Sequence, residues 1–319
     1  MLSRTADSLY WLARYIERAD YLARIVEATQ RLAALPMSYT GTGTEWESAL
    51  ESSGAADGFR ATRGTIDEAS VVEYLTFAKD NPSSIRNCIA FARVNARAVR
   101  AALTVETWDA INSAWIELKR FEDTNAGRGR YDREELSRFL EFVKKTSLDY
   151  DGSAHRTMLR NDAYWFSRVG LYIERADNTA RILDVKYHVL LPEHESVGGS
   201  LDYFQWTAIL RAVSALNAYH WVYRESVKPW HIADLLILKI EMPRSLIACY
   251  DNIVHFLDSI ALAYGRTGPS QAQAHEVLGR LERARTQEIF KIGLHEFITH
   301  FVEDNDLLGR TINEQYLKY

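Results

Sequence analysis

The sequence predicts an all-α fold, a multi-helix bundle made of two tandem, pseudo-twofold-related helical repeats. Three observations predict it. Glycine and proline are scarce, 16 and 6 in 319 residues, while 47% of residues are hydrophobic, a balance that favours helix and supports a sizeable core. Apolar residues recur at helical spacing, and strand-like alternation is absent. Shifting the chain against itself by 157 residues, without a gap, leaves 12 of the first 25 positions identical, far beyond what helical composition bias produces.

That shift lays Tyr15-Ile16-Glu17-Arg18-Ala19-Asp20 on Tyr172-Ile173-Glu174-Arg175-Ala176-Asp177, and Ala23-Arg24-Ile25 on Ala180-Arg181-Ile182. At an offset of 161, Pro82, Ser84, Ile85 and Cys88 face Pro243, Ser245, Leu246 and Cys249. Trp46 with Leu50 resembles Trp206 with Leu210, and the apolar stretches 71–79 and 232–240 match. The whole unit is therefore repeated, and we expect a first repeat over 1–157 and a second over 158–319, joined in one compact domain.

The elements follow in order. An apolar stripe of Leu9, Leu12, Ile16, Ala19, Ala23 and Val26 predicts a long helix over 2–34. Pro36, Gly41 and Gly43 end it, and helices at 45–56 and 67–79 flank the glycine-bearing loop 58–65. Helices are expected next at 83–103 and 106–121, then a loop at 122–131 with Gly127 and Gly129, then 132–148. The second repeat opens with a long helix at 154–190, closed by Pro192, Gly198 and Gly199. Helices at 201–226, 231–241, 244–264 and 270–304 follow, with a last stretch at 306–317. The two long opening helices should be the central struts of the bundle.

Composition excludes several classes. Net charge is −5 and basic residues alternate with acidic ones, which speaks against a nucleic-acid surface. Cys88 and Cys249 each fall in an apolar helical stretch, which suits buried thiols in a reducing compartment. The N-terminus shows no basic start followed by an apolar core and cleavage site, and no window approaches 18 uninterrupted apolar residues. A soluble, cytoplasmic protein without a membrane partner is expected.

On a helical wheel Glu17, Asp20 and Arg24 share a face, as do Glu174, Asp177 and Arg181. Arg18 and Arg175 leave their helices about 100° away from the adjacent glutamates, so neither Glu-Arg pair can bond within its own helix. If the opening helices pack antiparallel, Glu17 could reach Arg175 or Arg181, and Glu174 could reach Arg18 or Arg24. Reciprocal ion pairs would then fix their register. The alternative is a polar pocket in which Arg18, Asp20, Arg24, Arg175, Asp177 and Arg181 bind a charged ligand, with Glu17 and Glu174 as catalytic acid/base candidates.

Other constellations are weaker. No histidine has a glutamate three residues before it, as a ferritin-like dimetal site would need. His231 with Asp234, His255 with Asp258 and His300 with Glu303 lack further partners, so no metal and no cofactor are expected. His295 and His300 are five apart where a zinc-protease helix requires four. Gly127-Arg128-Gly129-Arg130 reads as a surface turn. The aromatic residues Tyr203, Phe204, Trp206, Tyr219, His220, Trp221, Tyr223 and Trp230 are expected to fill core, with a stacking pocket as the alternative.

The segment 9–20, the second 172–181 and Asn81-Pro82-Ser83-Ser84-Ile85-Arg86 together resemble the bacterial alpha-E family, named for a helical domain with a Glu-Arg motif. The resemblance covers essentially the whole chain, and Glu17, Arg18, Glu174 and Arg175 match the naming motif. It carries over no catalytic residue. It implies partners, because family members commonly occur beside genes for an ATP-grasp ligase of the peptide-forming kind and a transglutaminase-like cysteine peptidase. The expected function is that of an accessory protein binding the ligase or its peptide or amino-acid substrate. The alternative is an enzyme acting on an amino-acyl or peptide substrate.

Overall fold

The computed structural model describes residues 1–34, 45–124, 132–188 and 200–318. In chain order the helices are α1 (Ser3–Ala33), α2 (Glu45–Ser52), α3 (Ala56–Thr62), α4 (Glu68–Thr76), α5 (Ile85–Ala98), α6 (Val105–Thr124), α7 (Arg133–Thr157) and α8 (Asp162–His188). Then come α9 (Ser200–Ala212), α10 (Leu216–Tyr223), α11 (Pro229–Ala233), α12 (Leu246–Tyr264), α13 (Pro269–Arg283), α14 (Thr286–Ile292) and α15 (Leu294–Ile312). π-helical turns at Asp234–Leu238 and Asn313–Leu317 extend α11 and α15. Among the described residues there is no strand. Of the expected loops, 35–44, the 125–131 part of 122–131 with the Gly127–Arg130 turn, and the 191–199 part of 191–200 lie outside the described residues; residues 122–124, expected as loop, instead continue α6, and Ser200 begins α9.

The two long helices are central. α1 packs on α8, α5, α7 and α9, and α8 also packs on α12 and α15. The predicted stripe of Leu9, Leu12, Ile16, Ala19, Ala23 and Val26 is buried throughout. In α8, Val169, Ile173, Ala176 and Ala180 occupy the corresponding interior.

The repeated Pro-x-Ser segments do the same work in both halves. Ser84 Oγ accepts from the Asn87 amide at 3.2 Å and donates to the Ala78 carbonyl at 2.8 Å. Ser245 Oγ accepts from the Ala248 amide at 3.1 Å and donates to the Lys239 carbonyl at 2.7 Å. Each serine thus caps a helix, α5 or α12, and ties it to the preceding turn. Cys88 and Cys249 follow one turn later, both free and fully buried. Burial pushes each thiol up to about 12, which keeps it protonated and unreactive at neutral pH.

Several boundaries differ from expectation. The break expected near 149–153 falls instead at 158–161, because buried Tyr150 and Ala154 carry α7 through Gly152. Asn161 Oδ1 then accepts from the Ala163 amide at 3.1 Å and starts α8. The stretch expected as one helix over 201–226 is interrupted where Ser214 adopts φ 57°. The run expected over 270–304 becomes three helices, broken before Thr286 and at Gly293, whose φ of 116° no side-chain-bearing residue adopts comfortably. α3 occupies part of the expected loop at 58–65, held by buried Phe59 against Tyr74.

α12 is long and apolar enough to cross a membrane by length and composition. Its Leu246, Cys249, Tyr250, Ile253, Leu257 and Ile260 are buried in the protein interior, where it packs on α8 and α13.

α1 and α8 run in the same direction, not antiparallel as the sequence geometry allowed. Gly170 lies against the Tyr10 carbonyl, while one to two turns further along both helices Arg175 and Asn178 reach Glu17. Contacts that advance together along both chains require a parallel pair, since antiparallel helices would carry Glu17 and Asn178 about 20 Å apart at 1.5 Å rise per residue. The contact at Gly170 is close enough that an added Cβ would sit 2.2 Å from the Tyr10 carbonyl oxygen. Gly170→Ala is therefore expected to cost about 1–3 kcal/mol through forced separation of α1 and α8. A lowered urea midpoint with unchanged helical circular dichroism at low denaturant checks it.

Candidate functional site

The reciprocal ion pairs form, and they cross between α1 and α8. Arg175 donates to Glu17 from Nε at 3.1 Å and from Nη2 at 3.0 Å. Arg18 donates to Glu174 from Nε at 2.5 Å and from Nη2 at 3.0 Å. Both glutamates are almost completely buried. The planar guanidinium fork matches the two carboxylate oxygens, which fixes rotation and register of the helices as well as charge.

Each glutamate has a second arginine that the sequence reading did not single out. Arg244 bridges Glu17 Oε1 and Asp20 Oδ2, both at 2.8 Å. Arg24 holds Asp20 from within α1 at 2.8 Å and also donates to the Ala212 carbonyl at 3.1 Å, tying in α9. Arg175 additionally stands 3.7 Å from Asp151 of α7, whose other partner is Arg168. On the opposite side Arg14 donates to Glu174 at 2.7 Å and to the Tyr10 hydroxyl at 3.1 Å. Arg181 pairs with Asp177 at 2.7 Å.

Arg244 was detectable in principle. It stands between Pro243 and Ser245, where the first half has Ser83 between Pro82 and Ser84; this departure from the repeat puts a charge at the mouth of the Glu17 cluster. Ser83 contributes only a long hydroxyl contact to Arg18, at 3.4 Å. Arg14 lies one turn before Arg18 on the same helix face.

Burial by itself would raise both carboxyls. Arg175 and Arg244 outweigh it at Glu17, and Arg18 and Arg14 outweigh it at Glu174, so each is held at about 2. Both are ionised at neutral pH.

The candidate ligand residues thus divide. Asp20, Arg24 and Arg175 are enclosed in the Glu17 cluster. Arg18, Asp177 and Arg181 instead line a polar cavity of about 310 Å³ between α1, α8 and α15. Arg14 and Arg310 join them, Tyr10 and Trp11 form a wall, and Asn305, Asp306 and Asn313 complete the α15 side. Trp11 lies beneath the Arg14 guanidinium, 4.8 Å from ring centre to carbon. Among the described residues no three His, Cys, Asp or Glu side chains converge as a metal site would require.

The aromatic residues near α9 to α11 depart from expectation. Trp206 and Tyr219 are core, but Tyr203, Phe204, Trp221 and Trp230 are exposed, Trp221 at 78%. α10 and α11 are short, and among the described residues α10 packs on α9 and α11 and not on the long central helices, so outward positions there have no layer to bury them.

A helical bundle whose two long helices are locked by crossed Glu-Arg pairs is the kind of protein this geometry defines. The chain belongs to the Alpha-E family, described as a predicted alpha-helical domain with a conserved ER motif, whose pattern matches residues 1–317. The Glu-Arg motif occurs here twice, and the crossed pairs give it a physical role. Two uncharacterised proteins, from Mycobacterium bovis and Mycobacterium tuberculosis, are each 22% identical over 304 residues, covering 91% of this chain. The chain spans about a third of the length of these curated relatives, 33%. No solved structure matches.

Proposed function

We propose that this protein is a helical partner of an ATP-grasp-type peptide or amide ligase, binding the ligase or its substrate and catalysing nothing alone. The observation that carries this reading is the saturation of Glu17 and Glu174. Each accepts from two arginines and is held ionised at about 2, whereas a general acid or base works with a pKa near ambient pH and a free hydrogen-bonding position. The ligase as partner class comes from the gene neighbourhood that the family resemblance implies. In the mycobacterial relatives the homologous segment belongs to a chain about three times as long, which suits a unit that works alongside other polypeptide. The exposed Tyr203, Phe204, Trp221 and Trp230 supply the aromatic surface that interfaces favour.

Co-purification with an ATP-grasp ligase of the peptide-forming kind from the same organism tests the reading. A complex stable through size exclusion at micromolar concentration is expected, with no turnover of amino-acyl or peptide substrates by the chain alone. Trp221→Ala should weaken the complex about tenfold if the aromatic surface is the contact. Turnover by the isolated chain, or clean separation from the ligase, would reject it.

A further inference from the structure

We infer that the cavity between α1, α8 and α15 is a binding site for a small molecule carrying a carboxylate, of amino-acid or short-peptide size. It deepens the substrate-binding half of the ligase-partner reading but is argued from the cavity alone, so loss of the ligase complex and loss of ligand binding are separate outcomes. The lining brings four guanidiniums, Arg14, Arg18, Arg181 and Arg310, against the carboxylates of Asp177 and Asp306, with Glu174 directly behind. Guanidiniums outnumber carboxylates four to three, so the lining favours a ligand that presents a carboxylate to the arginines and any ammonium to Asp177 or Asp306. A dianionic phosphate would leave excess negative charge beside three carboxylates.

Hydrogen-bond capacity agrees. Arg14 spends Nε on Glu174 and Nη1 on Tyr10, and Arg181 spends only Nε on Asp177. Among the described residues, Nη2 of Arg14 and both Nη groups of Arg181 have no acceptor, and neither arginine belongs to the buried side chains left unsatisfied. Both side chains line the cavity, and the planar guanidinium fork suits a carboxylate. Arg14 is fixed in place by Trp11 below, Tyr10 beside it and Glu174 behind, so little ordering accompanies binding. Asp177 and Asp306 are each engaged by one arginine of their own helix, at 2.7 Å and 2.6 Å, and keep lone pairs for an ammonium group. A cavity of about 310 Å³ falls at the small end of ligand sites. The α15 wall ends in the π-helical turn at Asn313–Leu317, a local insertion often found where helices build sites.

Isothermal titration of the full chain at neutral pH and low salt tests this with four probes: L-alanine, L-alanyl-L-alanine, the same dipeptide as its C-terminal amide, and inorganic phosphate. Saturable binding of L-alanine or the dipeptide is expected, with the amide and phosphate at least about tenfold weaker. Preference for L-alanine assigns a free amino acid, and preference for the dipeptide a peptide end. Arg181→Gln should weaken the better probe about tenfold while leaving the urea midpoint unchanged, because its side chain is 34% exposed and among the described residues its ion pair is with Asp177 of its own helix. Arg310→Gln, on a 65% exposed side chain, is the second variant. Absence of saturable binding by both carboxylates, an amide or phosphate that binds as tightly, or unchanged affinity in both variants would overturn the inference.

Discussion

Glu17→Ala is expected to lower the unfolding free energy by about 3–5 kcal/mol, the cost of leaving buried arginines without their carboxylate. Removal leaves Asp20 and Asp151 to balance Arg24, Arg168, Arg175 and Arg244, an excess of two positive charges. Arg175 suffers most, because its side chain is 10% exposed and its remaining carboxylate, Asp151, stands 3.7 Å away and is already held by Arg168.

Glu174→Ala leaves a similar imbalance among Arg14, Arg18, Arg181 and Asp177, yet it should cost less. Arg14 and Arg18 border the polar cavity, and water can replace the lost acceptor there. Urea unfolding of the two single variants measures the difference. A third variant, Glu17→Leu with Arg175→Met, should recover much of the loss, since a hydrophobic pair of similar volume offsets a buried ion pair. Losses below about 1 kcal/mol for both single variants, the range of exposed pairs, would show that the clusters do not hold α1 to α8.

The duplicated hexapeptide made much of this legible. Angular spacing on one helix predicted that Glu17 and Arg18 must seek different partners, and those partners are the second copies, Arg175 and Glu174. Direction was not legible, because crossed contacts between related residues arise in parallel and antiparallel pairs alike. The decisive contact, Gly170 against Tyr10, involves a backbone approach that no periodicity encodes. Arg14 and Arg244 escaped for a related reason. Both break the repeat, since Leu171 corresponds to Arg14 and Ser83 to Arg244, and a search for identity passes over positions where the copies differ. Those differences make the two clusters unlike, one enclosed by Arg244 and one open to a cavity. Helix breaks at Ser214 and Gly293 depend on positive φ, which composition signals weakly. Exposure of Trp221 and Trp230 depends on which helices lie outermost, a tertiary property.

The same two carboxylates set the acid sensitivity of the fold. Both titrate near 4.5 when unfolded and at about 2 when folded, so between these values the unfolded chain binds protons that the native protein refuses. A depressed folded pKa gives stability that is complete above the unfolded value and lost as pH falls toward the folded one. Each glutamate contributes on the order of 3 kcal/mol at neutral pH, of which about 2 kcal/mol is lost by pH 3. Wild-type stability measured by urea unfolding should therefore fall by about 4 kcal/mol from these two groups between pH 7 and pH 3. Glu17→Gln with Glu174→Gln starts lower at pH 7, because a neutral amide is a poorer partner for arginine, but lacks this portion of the slope. The two curves should converge as the solution is acidified, since protonation makes the wild-type side chains neutral as well. Curves that stay parallel across that range would mean that neither carboxylate is held in its charged form by its arginines, and the crossed pairs would then be contacts of shape alone.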